Sequence, residues 1–122
     1  MAQKHILLVE DDQFLHQLYS DLLKNEHYDV TGVVDGKEAL KNIKKNTWNL
    51  ILLDVMLPGM DGFEILDEIT KEKIKLKCPV IYLTNLDASD NDKKRLAKAT
   101  DHWIKSDMAP PQFVEKVNAL LK

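Results

Sequence analysis

The chain is 122 residues long, 44% apolar and 30% charged, with a net charge of −3. That length fits a single domain, residues 1–122, with a core that needs no staples. The acidic balance argues against direct nucleic-acid or anionic-membrane binding. Cys78 is the only cysteine, which excludes an internal disulfide framework and a cysteine cluster for zinc.

No apolar run approaches the ~18 residues of a membrane span. The start, "MAQKHILLVEDD", has too short an apolar stretch for a signal peptide before it meets acids. A reduced, cytoplasmic setting is therefore expected, with Cys78 a buried, unreactive thiol.

In chain order, short apolar runs alternate with amphipathic ones. "HILLV" (5–9) predicts a strand. Residues 13–26 predict a helix, with Phe14, Leu15, Leu18, Leu22 and Leu23 at helical spacing and Asp12 as its cap. "YDVTGVV" (28–34) alternates like a strand near an edge. Residues 36–46 predict a helix capped by Asp35, with Ala39, Leu40 and Ile43 inward.

"LILL" (50–53) is a third strand, apolar on both faces. Residues 63–72 form the next helix, with Phe63, Leu66 and Ile69 inward. "PVIYL" (79–83) is a fourth strand, and residues 89–99 a weakly amphipathic helix. "HWI" (102–104) is a fifth strand. Residues 111–122 form a last helix, with Pro111 in its first turn. Five strands alternating with five helices predict an α/β protein whose parallel sheet is covered on both faces. No output domain is expected after the last helix.

Ligands of such a sheet bind beyond the carboxyl ends of the strands. Strand 1 ends in Glu10-Asp11-Asp12, strand 3 in Asp54, strand 4 in Thr84 and strand 5 in Lys105. Clustered carboxylates raise one another's pKa unless a cation neutralises them, and Mg²⁺ suits one or two carboxylates plus water and phosphate oxygens. A lysine and a hydroxyl suit an incoming phosphoryl group. Asp54 is then either a metal ligand or an oxygen nucleophile. Taken singly, each residue has a plainer reading: Asp12 and Asp35 as helix caps, Asp61 as a turn residue before Gly62, Thr84 and Lys105 as surface residues. Complementary groups at four strand ends favour a site.

"ILLVEDD", "LILLDVMLPGMDGFEIL", "PVIYLT" and "WIK" resemble the receiver domain of two-component response regulators. The resemblance covers essentially the whole chain. It implies a flavodoxin-like, doubly wound five-stranded parallel sheet of order 2-1-3-4-5. Asp54 then resembles the phosphoacceptor. Asp11 resembles the direct Mg²⁺ ligand, Glu10 its partner through water, and Met56 the residue whose backbone carbonyl completes the protein ligands. Thr84 resembles the switch hydroxyl and Lys105 the lysine that pairs with the phosphoryl group. The implied partners are a histidine kinase or histidine phosphotransfer protein. Downstream, they are an effector protein or a second copy bound through the helix 4–strand 5–helix 5 face. The competing reading is a receiver-like interaction module that works without phosphorylation. A haloacid-dehalogenase-type phosphatase would need a second Asp where Met56 stands, and a flavodoxin a phosphate loop where strand 1 meets acids.

Several positions depart from the family pattern. Asn85 stands where a small residue is usual and is expected to narrow the phosphoryl pocket. His102 takes the place of the switch aromatic, beside Trp103. Ser106 replaces the proline after Lys105, so a rebuilt or trans loop is expected there. Met56 and Leu86 occupy the positions that orient hydrolytic water, and neither holds water strongly. Slow loss of a phosphoryl group is expected.

Overall fold

The computed structural model describes residues 3–85 and 90–122. Five parallel strands, β1 (His5–Val9), β2 (Asp29–Val33), β3 (Leu50–Asp54), β4 (Val80–Thr84) and β5 (Asp101–Ile104), form one sheet of order β2-β1-β3-β4-β5. The helices are α1 (Gln13–Asn25), α2 (Gly36–Lys44), α3 (Gly62–Lys71), α4 (Asp90–Leu96) and α5 (Pro110–Leu121), with a 3₁₀ turn over Lys105–Asp107. The flavodoxin-like topology expected from the sequence is the one observed.

Strand alternation divides the core into two layers. Leu7, Val9, Ile51, Leu53, Val80 and Tyr82 face α2 and α3, meeting Ala39, Ile43, Phe63, Leu66 and Ile69. Ile6, Leu8, Leu50, Leu52, Ile81 and Leu83 face α1 and α5, meeting Tyr19, Leu23, Phe113 and Val117. All five residues of β3 and of β4 are buried, as a sheet covered on both sides requires. β2, at the edge, is largely exposed.

Most departures from the sequence expectations lie at element ends. β3 and β4 each extend one residue further, taking in Asp54 and Thr84, because the β3–β4 ladder continues to the pair Asp54–Leu83 and the β4–β5 ladder to Thr84–Ile104. α5 begins at Pro110 rather than Pro111, and Gln112 accepts the Ala109 amide there at 2.8 Å. α4 is shorter than expected, and the expected start at residue 89 lies outside the described residues. Phe14 departs in burial: it is 75% exposed, because the inward stripe of α1 runs through Tyr19 and Leu23 and leaves the first turn open. Cys78 is partly rather than fully buried, and burial pushes its thiol up to about 11, so it stays protonated at neutral pH.

The caps explain several acids without chemistry. Asp12 accepts the Leu15 amide and Asp35 the Glu38 amide, each at 2.9 Å. Asp61 does more than turn the chain: it accepts the Glu64 amide at 2.8 Å while Glu64 accepts the Asp61 amide at 3.3 Å, a reciprocal box at the start of α3. Replacing Asp61 with Ala should therefore cost about 1 kcal/mol in urea denaturation. An unchanged midpoint would show that the box contributes no net stability.

Candidate functional site

The site begins with register. On β1, Ile6 and Leu8 pair with Leu50 and Leu52 of β3. Continuing both strands by two residues places Glu10 and Asp54 on that same face, past the apolar layer. On β5, Trp103 pairs with Leu83 and turns into the α1–α5 layer, so Lys105, two residues on, follows it. Three charged groups separated by tens of residues thus reach one crevice because strand side chains alternate.

There the Lys105 ammonium lies 2.9 Å from Glu10 Oε1 and 3.1 Å from Asp54 Oδ2. All three side chains are buried. Asp54 is held at its other oxygen as well, because the Met56 amide donates to Oδ1 at 3.1 Å. The backbone beneath it is fixed on both sides: Val55 N–H donates to the Leu83 carbonyl at 3.0 Å and Gly62 N–H to the Val55 carbonyl at 2.9 Å. Gly62 has to be glycine, since a Cβ there would lie 2.6 Å from the Asp54 carbonyl oxygen.

Asp11 is exposed at the mouth, and its carboxylate comes together with those of Glu10 and Asp54, with oxygens within 4.8 Å of one another. Burial, and then the neighbouring Glu10 carboxyl, raise the Asp54 carboxyl to about 7; Lys105 opposes them only in part. The two carboxylates in turn raise the Lys105 ammonium against the effect of burial, so the lysine is firmly charged.

The surrounding cleft, about 300 Å³, is lined also by Asp12, Leu15, Met56 and Asn85. Asn85 is exposed on its wall, and Thr84, directly before it, is buried at the end of β4. Met56 contributes an amide to Asp54 and an exposed side chain to the rim. His102 sits apart, half-buried on β5 opposite Tyr82 and next to the buried Trp103. The chain after Lys105 turns in a short 3₁₀ helix, with no cis peptide bond among the described residues. Leu86 lies outside the described residues.

Sequence reasoning missed His16, whose Nδ1 lies 2.7 Å from the Glu10 carbonyl oxygen. A polar side chain next to the apolar Phe14 and Leu15 carries no periodic signal of its own. It also missed the Met56 amide, since a backbone donor is set by a turn and not by residue type.

Residues 6–118 match the response regulator receiver domain family. Over 117 residues the chain is 32% identical to the regulatory protein VanRB of Enterococcus faecalis, covering 96% of this chain and 52% of that one. It is 30% identical over 117 residues to the response regulator SaeR of Staphylococcus aureus, covering 96% and 50%. The chain therefore spans about half the length of these curated relatives. The chemotaxis protein CheY4 of Vibrio cholerae superposes with a TM-score of 0.83 at 28% identity, covering 98% of this chain and 100% of that one. The receiver domain of the sensor histidine kinase PA1611 from Pseudomonas aeruginosa, solved with a magnesium ion coordinated in its active site cleft, gives 0.79 at 29% identity, covering 98% and 95%. Fold, crevice and sequence agree, and the chain belongs to the response regulator receiver domains of two-component signalling systems.

Proposed function

We propose that Asp54 accepts a phosphoryl group from the phosphohistidine of a histidine kinase or histidine phosphotransfer protein, and that the domain signals by the rearrangement this causes. The observation that carries the reading is the carboxylate of Asp54, fixed at both oxygens by Lys105 and the Met56 amide at the floor of an open cleft. A lone pair of one Asp54 oxygen attacks phosphorus in line. The N–P bond breaks, its electron pair returns to the imidazole of the donor, and an acyl phosphate remains. Lys105 turns from the carboxylate to the phosphoryl oxygens and offsets part of the new charge. Thr84 is the hydroxyl that follows it, and His102 the ring that responds on β5.

The residues fit Mg²⁺. Three carboxylates with converging oxygens face one ammonium, a hard oxygen set with an excess of negative charge. Asp11 and Asp54, with the Met56 carbonyl, would hold the ion directly, and Glu10 through water. Bound there, Mg²⁺ supplies charge neutralisation for the acids and for the transferring phosphoryl oxygens.

Three outcomes test this. Incubation with acetyl phosphate and Mg²⁺ should add the mass of one phosphoryl group, and Asp54→Asn should abolish the gain. No gain in the native chain would favour the phosphorylation-independent module.

The second outcome is a pH dependence of stability. Asp54 titrates near 7 in the fold against ~3.9 in the unfolded chain, so its contribution is intact below about 4 and is lost as pH rises through 7. Without Mg²⁺, Asp54→Asn should exceed the native chain in stability by about 4 kcal/mol at pH 8 and match it near pH 4. Excess Mg²⁺ should narrow the gap at pH 8 by stabilising the native chain, and Asp11→Ala should remove that gain. A gap that does not change with pH counts against a strained Asp54.

The third is lifetime. The Met56 side chain is 67% exposed on the rim and offers no hydrogen-bonding group for water. Replacing Met56 with Asn should speed phosphate loss about tenfold, followed after the donor is removed. An unchanged decay would mean that Met56 only packs against the rim.

A further inference from the structure

The Glu10 carbonyl lies beyond the last rung of both ladders of β1, in a residue that is fully buried. A buried carbonyl there needs a donor. His16 supplies it from the first turn of α1, with Nδ1 at 2.7 Å. A carbonyl only accepts, so this nitrogen carries the proton. The same residue's backbone N–H donates to the Asp12 carbonyl at 2.8 Å. One residue therefore grips the turn Glu10-Asp11-Asp12 at both ends. Inside the turn, the Asp12 amide donates to Glu10 Oε2 at 3.2 Å, and the Asp12 carboxylate caps α1.

The far side of the ring is equally constrained. It lies over Gly32 on the edge strand β2, where a Cβ would come within 2.4 Å of Nε2 and 2.9 Å of Cε1. Gly32 is absent from the left-handed backbone positions, so its role here is to leave room for the ring. β2 thus supplies the space and α1 the donor for a bond that ends just past β1.

We propose that His16, seated on Gly32, is a positioning residue for the acidic turn, fixing Glu10 and Asp11 for the cation. The inference rests on the proposed Mg²⁺-dependent reading. His16 touches neither the acceptor oxygen nor the phosphoryl donor. Its loss should therefore weaken Mg²⁺ binding and leave the rate at saturating Mg²⁺ nearly intact.

The test is the Mg²⁺ dependence of phosphorylation by acetyl phosphate, with the Mg²⁺ titration of the Asp54 and Met56 amide NMR signals as an activity-free readout. His16→Ala should raise the half-saturating Mg²⁺ concentration about tenfold or more. His16→Asn places an amide N–H where Nδ1 stands and should restore affinity, whereas His16→Gln carries its amide to the position of Nε2 and should not. Gly32→Ala should reproduce the loss in the native chain but have little effect in the His16→Asn background, which lacks the atoms a new Cβ would strike. The proposal is overturned if His16→Ala binds Mg²⁺ as the native chain does, if the Asn and Gln variants are alike, or if Gly32→Ala costs the same in both backgrounds. Should His16→Ala fail to fold, the Asn and Gln pair decides. A native chain that binds Mg²⁺ but gains no phosphoryl mass contradicts the reading of Asp54, and the amide titrations still decide the role of His16.

Discussion

The ammonium of Lys105, held between Glu10 and Asp54, is the contact on which the carboxyl edge of this sheet depends. Two carboxylates buried side by side would each face the other's charge with little water to screen it. A lysine that reaches from β5 past the end of β4 makes their burial tolerable. It also explains why the crevice lies where it does. β1 connects outward to β2 while β3 begins the opposite wing, so the chain leaves a gap between the ends of β1 and β3. The acids occupy that gap, and Lys105, coming from β5, reaches them across the β4 terminus, where Thr84 and Asn85 stand.

One ammonium does not balance the cluster. Asp54 remains raised to about 7, and Asp11 stays at the mouth with no ion pair of its own among the described residues. Elsewhere local choices agree with the fold: three helices carry aspartate caps, apolar runs fill both layers, and the glycine before Phe63 admits the Asp54 backbone. A chain consistent at so many levels but unfavourable at one edge places its cost where function is expected.

What could be read from the sequence follows from the same division. The unbroken run Leu50–Leu53 marks β3 as central, and the acids, hydroxyl and lysine at strand ends mark the crevice in the sequence itself. Periodicity alone misjudged Phe14, because helical spacing says which residues share a face but not which face the first turn shows to the core. Asp61 was undervalued because a capping box and a turn use the same letters. His16 was invisible for a different reason: its role depends on a carbonyl six residues back and on the missing side chain of a glycine on another strand. Such three-body arrangements leave no pattern in a linear sequence.

On the proposed reading, the same lysine decides how a signal leaves the site. A phosphoryl group on Asp54 adds charge to a crevice whose buried carboxylates already outnumber its cation, so the most favourable response is to draw Lys105 away from Glu10. Lys105 opens the 3₁₀ turn that leads into α5, and it directly follows a strand whose neighbouring rings diverge. Trp103 packs on Phe113 of α5, with centroids 6.3 Å apart, while His102, half-buried, pairs with Tyr82. A displacement at Lys105 therefore acts first on β5 and the start of α5. The opposite side of the molecule, where β2 and α1 hold the acidic turn through His16, has its hydrogen bonds anchored to backbone rather than to the reacting group. The chain thus divides into a fixed wing that presents the acids and a wing tied to the cation. A switch between two states needs only the second to have two arrangements.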